Sequence, residues 1–123
     1  MSGVRLLVDT NVLINFSEGK KELDLYLNEN IVYVSVISEM ELLGYTGISA
    51  KEIKFFQSLL SRVTIIDLIN PIKVEVMKLR QANRIKLPDA IVAATAIYLG
   101  IPLLTLDKDF QIIKSLNLII PEI

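Results

Sequence analysis

Apolar positions along this chain alternate between two rhythms. Short unbroken apolar runs occur at Leu6-Leu7-Val8, Ile31-Val32-Tyr33-Val34, Val63-Thr64-Ile65-Ile66, Leu103-Leu104-Thr105-Leu106 and Leu118-Ile119-Ile120. Runs this short, rich in β-branched residues, predict strands, and the lack of polar alternation predicts strands covered on both faces. Between them apolar residues return every three or four positions, the helical period. The spacing predicts a short helix from Thr10 to about Phe16, interrupted by Ser17-Glu18-Gly19, and a second from Lys20 to Asn28 with Leu23 and Leu27 inward and Leu25 and Tyr26 near them. Ser35 starts a helix carrying Ile37, Met40, Leu42 and Leu43, which Gly44 closes. Ser49-Ala50-Lys51-Glu52 matches a capping box, and the helix it opens places Ile53, Phe56, Leu59 and Leu60 inward. Asn70-Pro71 predicts an N-cap followed by Pro at the first helical position, with the helix running to about Asn83. Pro88 starts a further helix that Gly100 and Pro102 end, and its Ala90, Ala93, Ala94 and Ala96 suit close packing on a sheet. A short helix and strand finish the chain. Strands alternating with helices predict an α/β fold: a three-layer α/β/α sandwich around a mostly parallel sheet of four to five strands.

Composition narrows the picture. A chain of 123 residues suits one domain, here 1–123. It is 52% hydrophobic with a mean hydropathy of +0.51, which excludes disorder and predicts surface buried against a partner. The net charge of −1 is no polybasic surface, so any nucleic acid must be held by a local patch or through metal ions. With neither Cys nor His there is no thiolate or imidazole ligand, no Cys nucleophile and no imidazole base. Chemistry then rests on carboxylates, amines, guanidinium groups and hydroxyls, and carboxylates pair naturally with Mg²⁺ or Mn²⁺. The first residues lack the basic, apolar and small-residue order of a leader. From Ala90 to Leu106 there is no charge, but the stretch is broken by Gly100-Ile101-Pro102 and is shorter than the roughly 20 residues a span needs. A cytoplasmic protein without a membrane span is expected.

Four acidic positions stand out. Asp9 ends the first apolar run, Asp107 ends the fourth, Asp89 follows Pro88 in a first helical turn, and Glu41 lies in the helix after the second strand. Each has a purely structural explanation. Asp9 and Asp107 can cap the helices that follow them, a role Asp109 could share. Glu41 can close a capping box with Ser38. Asp89 can meet a helix dipole. A right-handed α/β fold, however, lets all four converge on the carboxyl edge of the sheet. Carboxylates sharing a cleft repel one another, and a divalent cation relieves that. The expected chemistry is phosphodiester hydrolysis at a Mg²⁺ or Mn²⁺ site.

Four blocks carry a family resemblance: Leu7-Val8-Asp9-Thr10-Asn11-Val12-Leu13, Ser38-Glu39-Met40-Glu41-Leu42-Leu43-Gly44, Leu87-Pro88-Asp89-Ala90-Ile91-Val92-Ala93-Ala94-Thr95-Ala96 and Leu104-Thr105-Leu106-Asp107-Lys108-Asp109-Phe110. In this order they resemble PIN-domain ribonucleases, and among those the toxin half of VapBC-type toxin–antitoxin pairs. The resemblance implies a PIN fold, divalent-metal-dependent endoribonuclease activity on RNA, a homodimer, and inhibition by a cognate antitoxin protein. It implies that Asp9, Glu41, Asp89 and Asp107 form the acidic quartet, with Asp109 an alternative fourth metal ligand, and that Asn11 and Thr105 orient the carboxylates. Arg84, Lys86 and Lys108, which neighbour the motifs of Asp89 and Asp107, are the basic residues expected to meet RNA phosphates. Lys73, Lys78 and Arg80 fit a solvated helix face equally well. An antitoxin helix would lie in a groove walled by the helices at 10–28 and 50–62.

Other readings fit less of the chain. A haloacid-dehalogenase-type phosphotransferase wants a second Asp where Asn11 stands. A two-component receiver domain needs an early acidic pair and a mid-sheet phosphoacceptor, and Asp67 has no such pair before it. An inactive PIN domain serving as a binding module shares the same residues.

Overall fold

The five apolar runs are strands: β1 (Arg5–Val8), β2 (Ile31–Ser35), β3 (Thr64–Ile66), β4 (Leu103–Leu104) and β5 (Leu118–Ile119). In this computed structural model, which describes residues 3–123, they form one sheet in the order β3-β2-β1-β4-β5, and every neighbouring pair is parallel. The chain steps outward from β1 to β2 and β3, then returns to the other side of β1 for β4 and β5. Strand order therefore reverses between β1 and β4, and such a reversal opens a crevice at the strands' carboxyl ends. In register, Leu7 lies between Tyr33 and Leu103, and Val8 faces Leu104.

Among the described residues six α-helices flank the sheet: α1 (Thr10–Ser17), α2 (Asp24–Asn28), α3 (Val36–Leu43), α4 (Ala50–Leu60), α5 (Asn70–Ala82) and α6 (Leu87–Leu99). Successive strand residues point to opposite faces, so β1 feeds two cores. Leu7 joins Ile72, Val76 and Leu79 of α5 and the alanines of α6. Leu6 and Val8 join Val12 and Leu13 of α1, Leu42 of α3, and Phe56 and Leu60 of α4. This gives the expected three-layer α/β/α sandwich. In α6 every residue from Ala90 to Ala96 is buried. Lengthening Ala93 or Ala94 there would overpack the core at a cost of about 1–3 kcal/mol. The capping box at Ser49 and Glu52 is formed in both directions, and Gly100 ends α6 at φ +67°, a left-handed conformation suited to glycine.

Local details depart from the sequence pattern. The segment 20–28 is not one helix: a 3₁₀ turn over Lys21–Leu23 precedes α2, sinking Leu23 completely while Leu25 is 69% exposed. Met40 is likewise exposed rather than inward. Asn70 is the first helical residue rather than the cap; Ile69 holds the cap position without a side-chain bond, and Pro71 follows in the first turn. Ser38 and Glu41 form no capping box, because Ser35 caps α3 through a bond from Ile37 N–H at 3.3 Å. The fourth run is strand only over Leu103 and Leu104; Thr105 N–H still bonds the Ile119 carbonyl at 3.1 Å, and the chain leaves the ladder at Leu106.

Candidate active site

Asp9 occupies the switch between β1 and α1. Its extended backbone (φ −76°, ψ 157°) makes it the N-cap of α1, and its carboxylate accepts from Thr10 N–H at 2.8 Å. The cap explanation is therefore correct as far as it goes, but it uses only one carboxylate oxygen. The other accepts from the Thr105 hydroxyl at 2.7 Å, across 96 residues of chain. Asp9 is buried, at 6% exposure.

Thr105 is completely buried and uses its whole hydrogen-bonding capacity. It donates to Asp9 and accepts from Asp107 N–H at 3.0 Å and from Asn11 Nδ2 at 3.4 Å. Asn11 also accepts from Leu106 N–H at 3.1 Å. Thr105 and Asn11 thus clamp the segment after β4 onto the start of α1, and the backbone that leaves the β4 ladder finds its partners in this clamp.

Glu41, on the exposed side of α3, accepts from the Thr10 hydroxyl at 2.6 Å. Thr10 is a participant the sequence reading missed. It stands beside Asp9, yet its bond reaches a residue 31 positions away, which no local spacing announces. Asp89 lies half-buried in the first turn of α6, and Asp107 caps the closing 3₁₀ helix (Lys108–Ile112) by accepting from Asp109 N–H at 2.9 Å. Asp9, Glu41, Asp89 and Asp107 all line one open cleft of about 480 Å³, with Ile14 and Tyr45 completing its wall. Asp109 does not line it; with Arg84 and Lys86 it borders an adjoining cavity of about 280 Å³ that shares Asp89 and Asp107.

The electrostatics match the geometry. Burial first, and then the Asp89 and Glu41 charges, raise the Asp9 carboxyl from 3.8 to about 6, against the two bonds from Thr105 and Thr10 that favour the charged form. Asp89 is also raised, first by burial and then by Asp107 and Glu41, with Lys86 offsetting part of the effect. The site is thus a set of mutually repelling acids with oxygen donors alone, the donor chemistry of Mg²⁺ or Mn²⁺. Among the described residues no three acidic side chains converge closely enough to enclose one ion. The carboxylates ring the cleft instead, an arrangement that suits Mg²⁺, which keeps several waters and takes one or two carboxylates.

Of the basic residues, Lys73, Lys78, Arg84, Lys86 and Lys108 are all exposed, but only Arg84 and Lys86 face a cavity bearing the site's acids. Arg80 does something else: its Nε donates to the Ile85 carbonyl at 3.3 Å and ties down the loop between α5 and α6.

A second depression lies on the α1–α4 side. A groove of about 630 Å³ is lined by Leu13 and Phe16 of α1, Leu27 of α2, and Phe55 and Leu59 of α4. Phe55 and Ser17 also line a neighbouring hollow of about 450 Å³, and that hollow shares Ile14 and Tyr45 with the carboxylate cleft. Through these shared residues the three depressions are neighbours, and the last of them holds Asp9 and Glu41. No helix among the described residues is long and apolar enough to cross a membrane.

Residues 6–116 match the family model of the PIN domain. No curated protein matches the sequence. Among solved structures, the chain is similar to one in a toxin–antitoxin complex from Klebsiella pneumoniae, at 32% identity and a TM-score of 0.79, covering 95% of this chain and 98% of that one. It is similar in fold to a chain of VapBC-1 from nontypeable Haemophilus influenzae (24% identity, TM-score 0.81, 94% and 97% covered). The same holds for a chain of VapBC2 from Rickettsia felis, solved bound to a DNA fragment from their promoter (22% identity, TM-score 0.80, 94% and 97% covered).

Proposed function

The chain belongs to the PIN domain family, and on that premise we propose that it is a divalent-metal-dependent endoribonuclease, the toxin of a VapBC-type toxin–antitoxin pair. The observation that carries this reading is the meeting of Asp9, Glu41, Asp89 and Asp107, from four separate stretches of chain, around one cleft at the sheet's switch point. Of Asp9, Glu41, Asp89 and Asp107, one or two would hold the ion directly and the others through its bound waters. When bound, the ion supplies Lewis acidity and countercharge for a phosphodiester.

The protein's own contribution is positioning. Thr105 and the Thr10 N–H occupy one lone pair on each Asp9 oxygen, leaving the carboxylate oriented and still able to accept a ligand. Asn11 holds Thr105 from behind, and the Thr10 hydroxyl holds Glu41 at the rim. Partners that orient metal-binding carboxylates matter nearly as much as the ligands themselves. Arg84 and Lys86 beside the motif of Asp89, with Lys108 in the motif of Asp107, would meet RNA phosphates.

The antitoxin would lay an amphipathic helix along the groove between α1, α2 and α4. From there, past Phe55 and Tyr45, it would extend a basic side chain toward the carboxylates. The neighbour from Klebsiella pneumoniae is described as a toxin–antitoxin complex, which supports such a partner. The working unit would be a cytoplasmic homodimer of one PIN domain spanning 1–123.

Incubating purified protein with RNA in Mn²⁺, in Mg²⁺ and in EDTA tests this. Cleavage by wild type that disappears in EDTA and in Asp9→Asn is expected. Cleavage by Asp9→Asn at the wild-type rate would overturn the site assignment.

A further inference from the structure

We infer that the cavity bordered by Arg84, Lys86 and Asp109 is a nucleotide subsite that reads one base beside the scissile phosphate, and that Asp109 is its base-reading group rather than a fourth metal ligand. The inference rests on the ribonuclease reading and adds a specificity determinant to it.

Three observations support it. First, this cavity and the carboxylate cleft share a wall formed by Asp89 and Asp107, so a chain whose phosphate lies in the cleft has a neighbouring residue within reach of the cavity. Second, the cavity's composition is that of a nucleotide site. Arg84 and Lys86 supply charge for a phosphate, Ile85 and the exposed Ile112 supply apolar surface for a base, and Asp109 supplies an acceptor. Third, the loop carrying the cations is held in place. Arg80 donates to the Ile85 carbonyl, Asn83 N–H and Nδ2 both bond the Leu79 carbonyl, and Ala90 N–H bonds the Lys86 carbonyl. A loop already ordered loses little freedom when RNA arrives.

The split between Asp107 and Asp109 has a geometric cause. Asp107, the N-cap of the 3₁₀ helix, stands on the shared wall and borders both the cleft and the cavity. Asp109 donates its N–H to that cap and sits exposed in the adjoining cavity. A carboxylate only accepts hydrogen bonds. Guanine offers two adjacent donors, N1–H and N2–H₂; cytosine and adenine offer one amino group; uracil offers only N3–H. The expected preference at this position is guanine first and uracil last.

The test measures binding of four short single-stranded RNAs that differ at one position, in Ca²⁺ to favour binding over cleavage, alongside cleavage-site mapping in Mn²⁺. Wild type should bind the guanine and uracil versions with affinities differing by about tenfold, the low end of what a two-bond base contact discriminates. Asp109→Asn should compress that ranking while keeping the melting-temperature rise produced by Mn²⁺. Arg84→Ala with Lys86→Ala should weaken all four RNAs alike and flatten the salt dependence. An unchanged ranking in Asp109→Asn, or loss of its Mn²⁺ response, overturns the inference, as does failure of wild type to bind any of the RNAs. Selective binding without cleavage would sink the ribonuclease reading and leave the subsite standing.

Discussion

The two ends of α1 serve opposite kinds of surface. At its start, Asp9, Thr10 and Asn11 enter a polar network in which both oxygens of a buried carboxylate and all the bonding capacity of Thr105 are used. Toward its end, the partly exposed Phe16 faces a groove against Phe55 and Leu59 of α4, with Asp24 and Arg62 also on its wall. The first region concentrates negative charge at an energetic cost to the fold and gains from a cation. The second leaves apolar surface in water and gains from a hydrophobic partner. Ile14 and Tyr45 stand where the two meet. Eight residues of helix thus join the carboxylate cleft to the groove, and the two should be separable by mutation.

The sharpest way to separate them is Asp9→Asn. It should lower RNA cleavage by on the order of a thousandfold or more, the several kcal/mol that metal electrostatics supplies to a phosphoryl transition state. Antitoxin affinity at the groove should change far less. Parallel cleavage and titration assays would show it; equal losses in both would mean the two regions are one. The variant should still fold, though not without local cost. Thr105 already accepts two bonds, so it cannot also accept from the new amide nitrogen.

Acidity offers a second separation, because only the cleft holds a raised carboxyl. With Asp9 at about 6 in the folded protein and 3.8 ordinarily, the folded state holds this proton more tightly than the unfolded one. Its contribution favours the fold below about pH 4, is lost as pH rises through 4 to 6, and is gone above 6. The loss is roughly 3 kcal/mol in the absence of metal. The raised Asp89 acts in the same direction. Denaturant melts in EDTA from pH 4 to 8 should therefore show a steeper decline for wild type than for Asp9→Asn, and parallel curves would refute the penalty.

Changing the groove should do the converse. Phe55 is 44% exposed and lines both apolar depressions. Phe55→Asp should weaken the antitoxin by about a hundredfold, the range of a central aromatic anchor, with cleavage by the free protein unchanged. Calorimetry with the co-expressed antitoxin and a cleavage assay on the free chain would decide it.

The smallest effect is metal stabilisation. Mn²⁺ at ten times its dissociation constant should stabilise the protein by roughly 1.4 kcal/mol, a rise of several degrees in melting temperature. Asp89→Asn and Asp107→Asn should shrink the rise, and Phe55→Asp should leave it intact. A melt unaffected by millimolar Mn²⁺ in every variant would reduce the four acids to helix caps.

The α/β order, the strand positions and most helix starts were legible in the sequence because they depend on local period and on caps such as Ser49 with Glu52. Leu23 to Asn28 and Asn70 escaped because a 3₁₀ turn or a shifted cap changes burial without changing composition. The apolar runs after Val4 and before Asp107 determined by themselves that acids would stand at strand ends. Which acids share a cleft was decided only by the tertiary structure. Asp9 depends on Thr105, and Glu41 on Thr10, through bonds across 96 and 31 residues. Asp107 reaches the cleft and Asp109 does not, because the 3₁₀ helix Lys108–Ile112 begins directly after Asp107. Hydrophobic period is a property of neighbours along the chain, whereas a shared electrostatic site is a property of distances in space, and those exist only once β4 has paired with β1.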